Sequence, residues 1–372
     1  MIQQCGLNYP PAAPSKLDGG VQDKHYWQRG FKLNKKGGVV FQDKEILKKQ
    51  QGVVKDVMVQ LGTQLLSGKL AVRLSLPIRV FEPRSLLERV AEAWSYAPTY
   101  LTKAATSTDP IERMKHLMCF VVSGLHCCVN QNKPFNPILG ETYQAVLSDG
   151  TLICMEHIQH HPPVSAFYVD GPNGLYKLHG RYEFESNMSG NSITNYQNGI
   201  TSFECANGVM LKYELPQLKM GGVMFGDRLV EWSGHARFND AQNNLLGTLN
   251  FEGNDSFLGR SSGDDIKGTI CSSKKESKSG LHIKVTGSWL SHLSFDGKVE
   301  WDLAHEPLYL PTPVDNAIPS DSRYRQDLIE LKAGENEKAQ ASKLHLEEFQ
   351  RNDKKLRGEK GKAHKRHSKK VG

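Results

Sequence analysis

The sequence predicts a mostly β protein with flanking helices, built around a large, near-complete antiparallel barrel. Three observations predict it. Asn-Gly and Asp-Gly pairs punctuate the long stretch after Pro137, an apolar helical stripe with a strong start signal precedes that stretch, and helical periodicity returns only after Pro319. At 372 residues and 38% hydrophobic, the chain can bury a sizeable core.

Taken in order, residues 1–44 are rich in Gly, Pro, Lys and Gln with weak periodicity, which predicts a flexible N-terminal segment before a main unit spanning 45–356. Val54, Val57, Met58, Leu61 and Leu65 then follow helical spacing over about 46–66. Further helices are expected over about 85–128. One includes Leu86, Leu87, Val90, Ala91 and Trp94; the next starts with Asp109 as N-cap, Pro110 at the first position and Glu112 closing a capping box. Between about 137 and 312 the turn pairs Asp149-Gly150, Asp170-Gly171, Asn173-Gly174, Asn198-Gly199, Asn207-Gly208 and Asp296-Gly297 separate short alternating segments. That spacing predicts more than ten strands, and a closed sheet so wide has room for a ligand. Two helices divided by Gly334 close the unit over about 321–356, and 357–372 reads as a basic, disordered tail.

Several classes are disfavoured at once. The longest nearly apolar run, Leu117–Val129, falls short of the roughly 20 residues a spanning helix needs. Met1–Cys5 lacks a signal-peptide pattern, Ile2 stands where myristoylation needs Gly, and Lys370–Gly372 holds no prenylation cysteine, so any membrane contact is expected to be peripheral. Seven cysteines without C-x-x-C spacing read as reduced thiols in a cytoplasmic protein.

The formal charge of +7 is concentrated. Residues 354–370 hold nine basic side chains against Glu359 alone, a net +8, which leaves the body near neutral. Such an arm suits an anionic membrane surface, a nucleic acid or plain solubilisation.

Chemistry is most concentrated in Glu156-His157-Ile158-Gln159-His160-His161-Pro162-Pro163. Three histidines suggest zinc, but their spacings of three and one do not place two ligands on one helix face, and the double proline breaks any helix. On a strand, His160 and His161 point to opposite faces unless a bulge or turn intervenes. Core or surface histidines beside a proline turn are one reading; an anion site, two imidazoles with nearby cations taking phosphate oxygens, is another. Lys133-Pro134-Phe135-Asn136-Pro137 forms an extended helix-to-strand connection that offers Lys133 and Asn136 as donors. Lys343, Glu347 and Arg351 sit at i, i+4 and i+8 and share one helix stripe, either a solvated ion-pair face or part of the same anion site.

Together these segments resemble the oxysterol-binding-protein-related family of intracellular lipid-exchange proteins. The family fingerprint Glu-Gln-Val-Ser-His-His-Pro-Pro is kept at Glu156 and His160–Pro163, with His157, Ile158 and Gln159 departing from it. Lys-Pro-x-Asn-Pro-x-Leu-Gly-Glu is matched in full by Lys133–Glu141. Glu82–Arg89, Asp109–Met114, Ser320–Arg323 and the Lys343/Glu347/Arg351 spacing also look like the family, in order, over roughly residues 50–356.

The resemblance implies a barrel enclosing a hydrophobic lipid tunnel under an N-terminal lid, here the helix over 46–66. It implies one bound lipid rather than a cofactor or metal, and no catalytic residue. Phosphatidylinositol 4-phosphate is the expected ligand: His160 and His161 on the 4-phosphate, Lys133, Asn136, Lys343 and Arg351 near the inositol phosphates, Glu347 on ring hydroxyls. A sterol or phosphatidylserine is the expected exchange partner. A monomer acting at anionic membranes, without a nucleic-acid partner, follows. The chain shows no pleckstrin-homology domain, ankyrin array or clear two-phenylalanine tethering motif, and so resembles a short member. A lipid sensor without net transport, and a histidine- or zinc-dependent phosphoinositide hydrolase, are the competing readings; the second lacks an identifiable nucleophile–base pair.

Overall fold

The computed structural model describes residues 30–66, 76–251, 263–273 and 281–368. It opens with β1 (Phe31–Leu33), β2 (Val39–Phe41) and the helix α1 (Lys44–Leu66). Next come β3 (Phe81–Ser85), three helices, α2 (Leu86–Glu92), α3 (Ala97–Thr106) and α4 (Pro110–Gly124), and β4 (Lys133–Phe135). The strand-rich region holds β5 (Thr142–Val146), β6 (Leu152–His160), β7 (Pro163–Asp170), β8 (Tyr176–Ser189), β9 (Ser192–Asn198) and β10 (Thr201–Cys205). It continues through β11 (Met210–Glu214), β12 (Gln217–Gly221), β13 (Leu229–Asp240), β14 (Leu245–Phe251) and β15 (Asp265–Ser272). The strands end with β16 (His282–Ser288), β17 (His292–Phe295), β18 (Lys298–Asp302) and β19 (Thr312–Pro313), before α5 (Gln326–Lys332) and α6 (Asn336–Ser368).

The fold is mostly antiparallel β, as the turn spacing predicts. Seventeen strands form one sheet, and β3 and β4 form a separate parallel pair. The two longest strands fork the sheet: β8 pairs with both β9 and β10, and β13 takes β2, β11, β12 and β14. Every predicted turn pair falls between strands or at a strand's last residue, as Asp170 and Asn198 do, and at the β17–β18 hairpin Asp296 and Gly297 both adopt positive φ, 47° and 84°. α2 packs on β5 and β6, α3 on β8, and α4 on β13, β14, β17 and β18. One sheet whose opposite ends touch the same helical layer has to curl around it. The main core lies there, with Trp289, Trp301, Tyr96 and Tyr100 fully buried.

α4 begins as predicted: Asp109 Oδ1 accepts from the Ile111 N–H at 2.9 Å. Glu112 does not close a capping box but pairs with Lys115 at 2.7 Å. The Glu82–Arg89 segment builds a half-buried ion network in which Arg89 bridges Glu82 and Glu92, and Arg84 meets Glu88 at 2.9 Å.

Two boundaries are corrected. Residues 31–41, assigned to the flexible segment, form a hairpin docked on the sheet, with Val39 and Phe41 fully buried and β2 paired to β13. Gly37 and Gly38 turn the hairpin at positive φ, so the glycines that suggested looseness make the turn. At the other end, α6 runs to Ser368, where the sequence reading placed a disordered tail after 356. Lys, Arg, Glu and Ala are strong helix formers, and their propensity carries the helix through the charge run.

A second, smaller apolar cluster joins the chain's two ends. Val53 of α1 packs with Ile78, Val80, Phe81 and Phe135, and with Leu328 of α5 and Ala339 of α6.

Candidate functional site

Three sequence-distant segments converge on one cavity of about 540 Å³. The first is the loop after β4. Its Glu141 is buried, accepts from the Ile138 N–H at 2.9 Å and from the Ser85 hydroxyl, and pairs with Arg325 at 2.7 Å. Arg325 also donates to the Asn136 carbonyl at 2.9 Å and grips Asp327 at 2.7 Å. Burial pushes the Glu141 carboxyl up, while Arg325 and the hydrogen bonds pull it back. The turn carrying Asn136 is thus folded around one buried carboxylate, and Asn136 lines the cavity.

Lys133 does not line the cavity, yet its ammonium donates to Asn136 Oδ1 at 2.5 Å and sits 5.3 Å from the centre of the Phe81 ring, which does. Lys343 approaches the same ring at 5.1 Å, so two cations flank one aromatic. Although the residue as a whole is exposed, protein crowded around the Lys133 ammonium, with Lys343 adding repulsion, lowers its pKa to about 8.

The second segment is the β6–β7 turn. The register shifts between His157 and Gln159, and the His161–Pro162 peptide is cis. His161 lies in the turn beyond the end of β6, so strand alternation does not apply to the pair: His160 and His161 both line the cavity, their ring centres 4.7 Å apart. Both have pKa values below the usual imidazole range, first through burial; His161 and then Lys354 add repulsion at His160, where Glu347 opposes, and Lys354 adds it at His161. Near neutral pH they therefore serve as uncharged N–H donors, and the positive charge comes from lysine and arginine.

The third segment is α6. Lys343 Nζ lies 2.6 Å from Glu347 Oε1, and Arg351 Nη2 lies 3.3 Å from Glu347 Oε2. The stripe is therefore an ion-pair chain and a cavity wall at once, since all three residues line the cavity. Lys343 is only 5% exposed. Phe81, Phe135, Ile138, Leu139, Ile158 and Leu346 supply apolar lining. The arrangement suits a multiply charged anion attached to an apolar body.

Sequence reasoning missed four contributors. Arg325 gives no periodic signal and is recognised only through its distant carboxylates. Ile158 and Lys354 also line the cavity; Lys354 had been counted with the tail, although it extends the 343–347–351 stripe by one more turn. His157, treated as a departure from the fingerprint, is buried and bonded to His160 Nδ1 at 3.2 Å and to Ser165 Oγ at 3.0 Å. Among the described residues, no group of three or more His, Cys, Asp or Glu is arranged for a metal.

The expected lid stripe is only partly what α1 buries. Leu47, Gln50 and Val53 are buried and Val57 packs on the smaller cluster, while Val54 is half-buried and Met58 is 45% exposed. Leu61 and Leu65 lie outside the residues whose side chains are described. The buried face is thus rotated from the predicted one, because it follows the seat offered by β3, β4 and α6. Val54, Val57 and Met58 do not line the described cavity.

The family model described as Oxysterol-binding protein matches residues 63–307 and 309–370. Oxysterol-binding protein 9 of Dictyostelium discoideum is 34% identical over 357 residues, 90% of this chain and 82% of that protein. Oxysterol-binding protein-related protein 3B of Arabidopsis thaliana is 29% identical over 78% of this chain and 67% of its own length. The Osh3 ORD of Saccharomyces cerevisiae, solved in complex with PI(4)P, superposes with TM-score 0.65 at 24% identity, covering 80% of this chain and 84% of that one. The Osh1 ORD domain solved with cholesterol gives TM-score 0.66 at 22% identity, covering 86% and 90%. At these identities the two structures show a common fold.

Proposed function

The chain belongs to the oxysterol-binding protein family, and from that premise we propose that it is a non-enzymatic lipid-transfer protein. It takes phosphatidylinositol 4-phosphate from one membrane and exchanges it for a sterol or phosphatidylserine at another. The observation that carries this reading is the convergence of Asn136, His160, His161, Lys343, Glu347 and Arg351, with Lys133 behind Asn136, on one cavity with apolar lining. In this reading the imidazoles donate to the 4-phosphate, Lys133, Asn136, Lys343 and Arg351 meet the inositol phosphates, and Glu347 accepts from ring hydroxyls. The acyl chains run into the barrel beneath α1, each CH₂ removed from water contributing about 0.8 kcal/mol. That solved relatives of this fold hold PI(4)P in one case and cholesterol in another supports a two-ligand exchange.

The test is a transfer assay between two liposome populations, one loaded with phosphatidylinositol 4-phosphate and the other with sterol or phosphatidylserine. One-for-one movement with intact headgroups is expected. Release of inorganic phosphate at a matching rate overturns the carrier reading, and binding without transfer favours a sensor.

A further inference from the structure

Behind His160 lie two polar side chains, His157 and Ser165, that this reading leaves without a role. Ser165 and His157 are register partners across β6 and β7, and both are buried. Ser165 Oγ lies 3.0 Å from His157 Nδ1, and His157 Nε2 lies 3.2 Å from His160 Nδ1. Both ring nitrogens of His157 are engaged, and a neutral imidazole carries only one proton between them.

Two polarities satisfy the chain. In the first, the Ser165 hydroxyl donates to His157 Nδ1, His157 Nε2–H donates to His160 Nδ1, and the His160 proton is left on Nε2, the nitrogen turned away from His157. In the second, every bond runs the other way and a neutral His160 keeps a lone pair on Nε2. An anionic oxygen in the cavity is attracted by the first and repelled by the second. Burial, then the His160 charge, lowers the His157 pKa to about 4, so this residue stays neutral near pH 7. The other charged or titratable groups acting on His160 are His161, Lys354 and Glu347.

Resting on the headgroup site proposed above, we propose that Ser165, His157 and His160 form a reversible hydrogen-bond relay that lets His160 meet a phosphate monoester with an N–H while uncharged. His157 is a positioning residue: it touches no ligand and sets which nitrogen of His160 holds the proton. Without it, His160 guarantees a cavity-side donor only when protonated, and phosphate binding then weakens as pH rises past its own titration. A glutamine at 157 can do the same work, its amide donating to His160 Nδ1 and its carbonyl accepting from Ser165.

The experiment measures binding of short-chain phosphatidylinositol 4-phosphate at pH 6 and pH 8 to the wild-type, His157→Leu and His157→Gln proteins. Short-chain phosphatidylinositol and inorganic phosphate are the control ligands, and ¹⁵N-histidine NMR reports the tautomer of His160. Between pH 6 and pH 8 the His157→Leu protein is expected to lose about tenfold more affinity than wild type, the worth of one hydrogen bond to a charged group. His157→Gln restores the wild-type profile, and the bound wild type at pH 8 shows the Nε2–H tautomer. The NMR measurement needs no variant, so the proposal stays testable if His157→Leu does not fold. Superimposable pH profiles for wild type and His157→Leu, or an Nδ1–H tautomer in the complex, overturn the relay while leaving the headgroup site standing. Equal wild-type affinity for the phosphorylated and unphosphorylated lipids overturns the headgroup site and takes the relay with it. A response to inorganic phosphate equal to that of the lipid assigns the relay to a free-anion site.

Discussion

The guanidinium of Arg325 lies 2.7 Å from the carboxylate of Glu141, joining residues 184 positions apart in the chain. Through this pair the segment leading into α5 and α6 is tied to the loop that carries Asn136. Glu141 and Asp327 both depend on it as their cationic partner.

Arg325→Met is therefore expected to destabilise the protein by about 3–5 kcal/mol, the usual result of leaving a buried carboxylate without its partner. Urea denaturation measures it. A loss below about 1 kcal/mol, within the range of a surface pair, would show that the network is solvated.

Acid should act through His157. Its folded pKa of about 4 lies below the usual value of 6.5, so the unfolded chain binds the proton more readily. The associated stability is complete above pH 6.5 and is lost as pH falls toward 4. Between pH 7 and pH 5 the wild type should lose about 2 kcal/mol more than His157→Gln. Denaturant midpoints at the two pH values check this, and parallel slopes would refute it.

In the proposed headgroup site, replacing both His160 and His161 with Ala would remove donors that only the phosphorylated headgroup uses. At about 1.5–3 kcal/mol per hydrogen bond to a charged group, phosphatidylinositol 4-phosphate affinity should fall tenfold or more. Sterol binding and the melting temperature should hold. Lys343→Ala and Arg351→Ala should show the same selectivity in competition between two labelled lipids. Equal loss of both lipids in a folded double mutant would defeat the headgroup assignment.

Alkali should act through Lys133. With its pKa lowered to about 8, its charge disappears largely between pH 7 and pH 9. Phosphatidylinositol 4-phosphate binding should weaken over that window by up to about tenfold, and Lys133→Met should flatten the response. Identical profiles in the two proteins would remove Lys133 from the site.

Deleting residues 357–372 removes seven basic side chains and Glu359 while sparing Lys354, which belongs to the cavity. Each basic residue near an anionic bilayer contributes up to about 1 kcal/mol, and salt screens the attraction as the Debye length falls below about 10 Å at 0.1 M. The truncated protein should bind anionic vesicles more weakly and with less salt dependence, yet retain its lipid. Unchanged salt-dependent sedimentation would argue against a membrane role for this segment.

Much of the fold was legible because its signals are local. The α4 start rests on Asp109 and Pro110, and the hairpins on six Asn-Gly or Asp-Gly pairs. β1 and β2 were not legible, since three-residue strands carry no periodicity and the partner that docks β2, β13, is nearly two hundred residues away. In the site, the α6 stripe could be read from spacing alone. Arg325 and His157 could not: one is defined by Glu141, far along the chain, the other by its bonds to Ser165 and His160 beside a register shift.

α1 and α6 are clasped by the same apolar side chains, Val53 meeting Leu328 and Ala339 over Phe81, whose ring also lies beside Lys133 and Lys343. In the proposed carrier, lifting α1 would expose apolar surface on the joint beside those cations, so uncovering the guest and loosening the grip on its charged end would become one cooperative event. A cover and a clamp built on a single joint would not open independently.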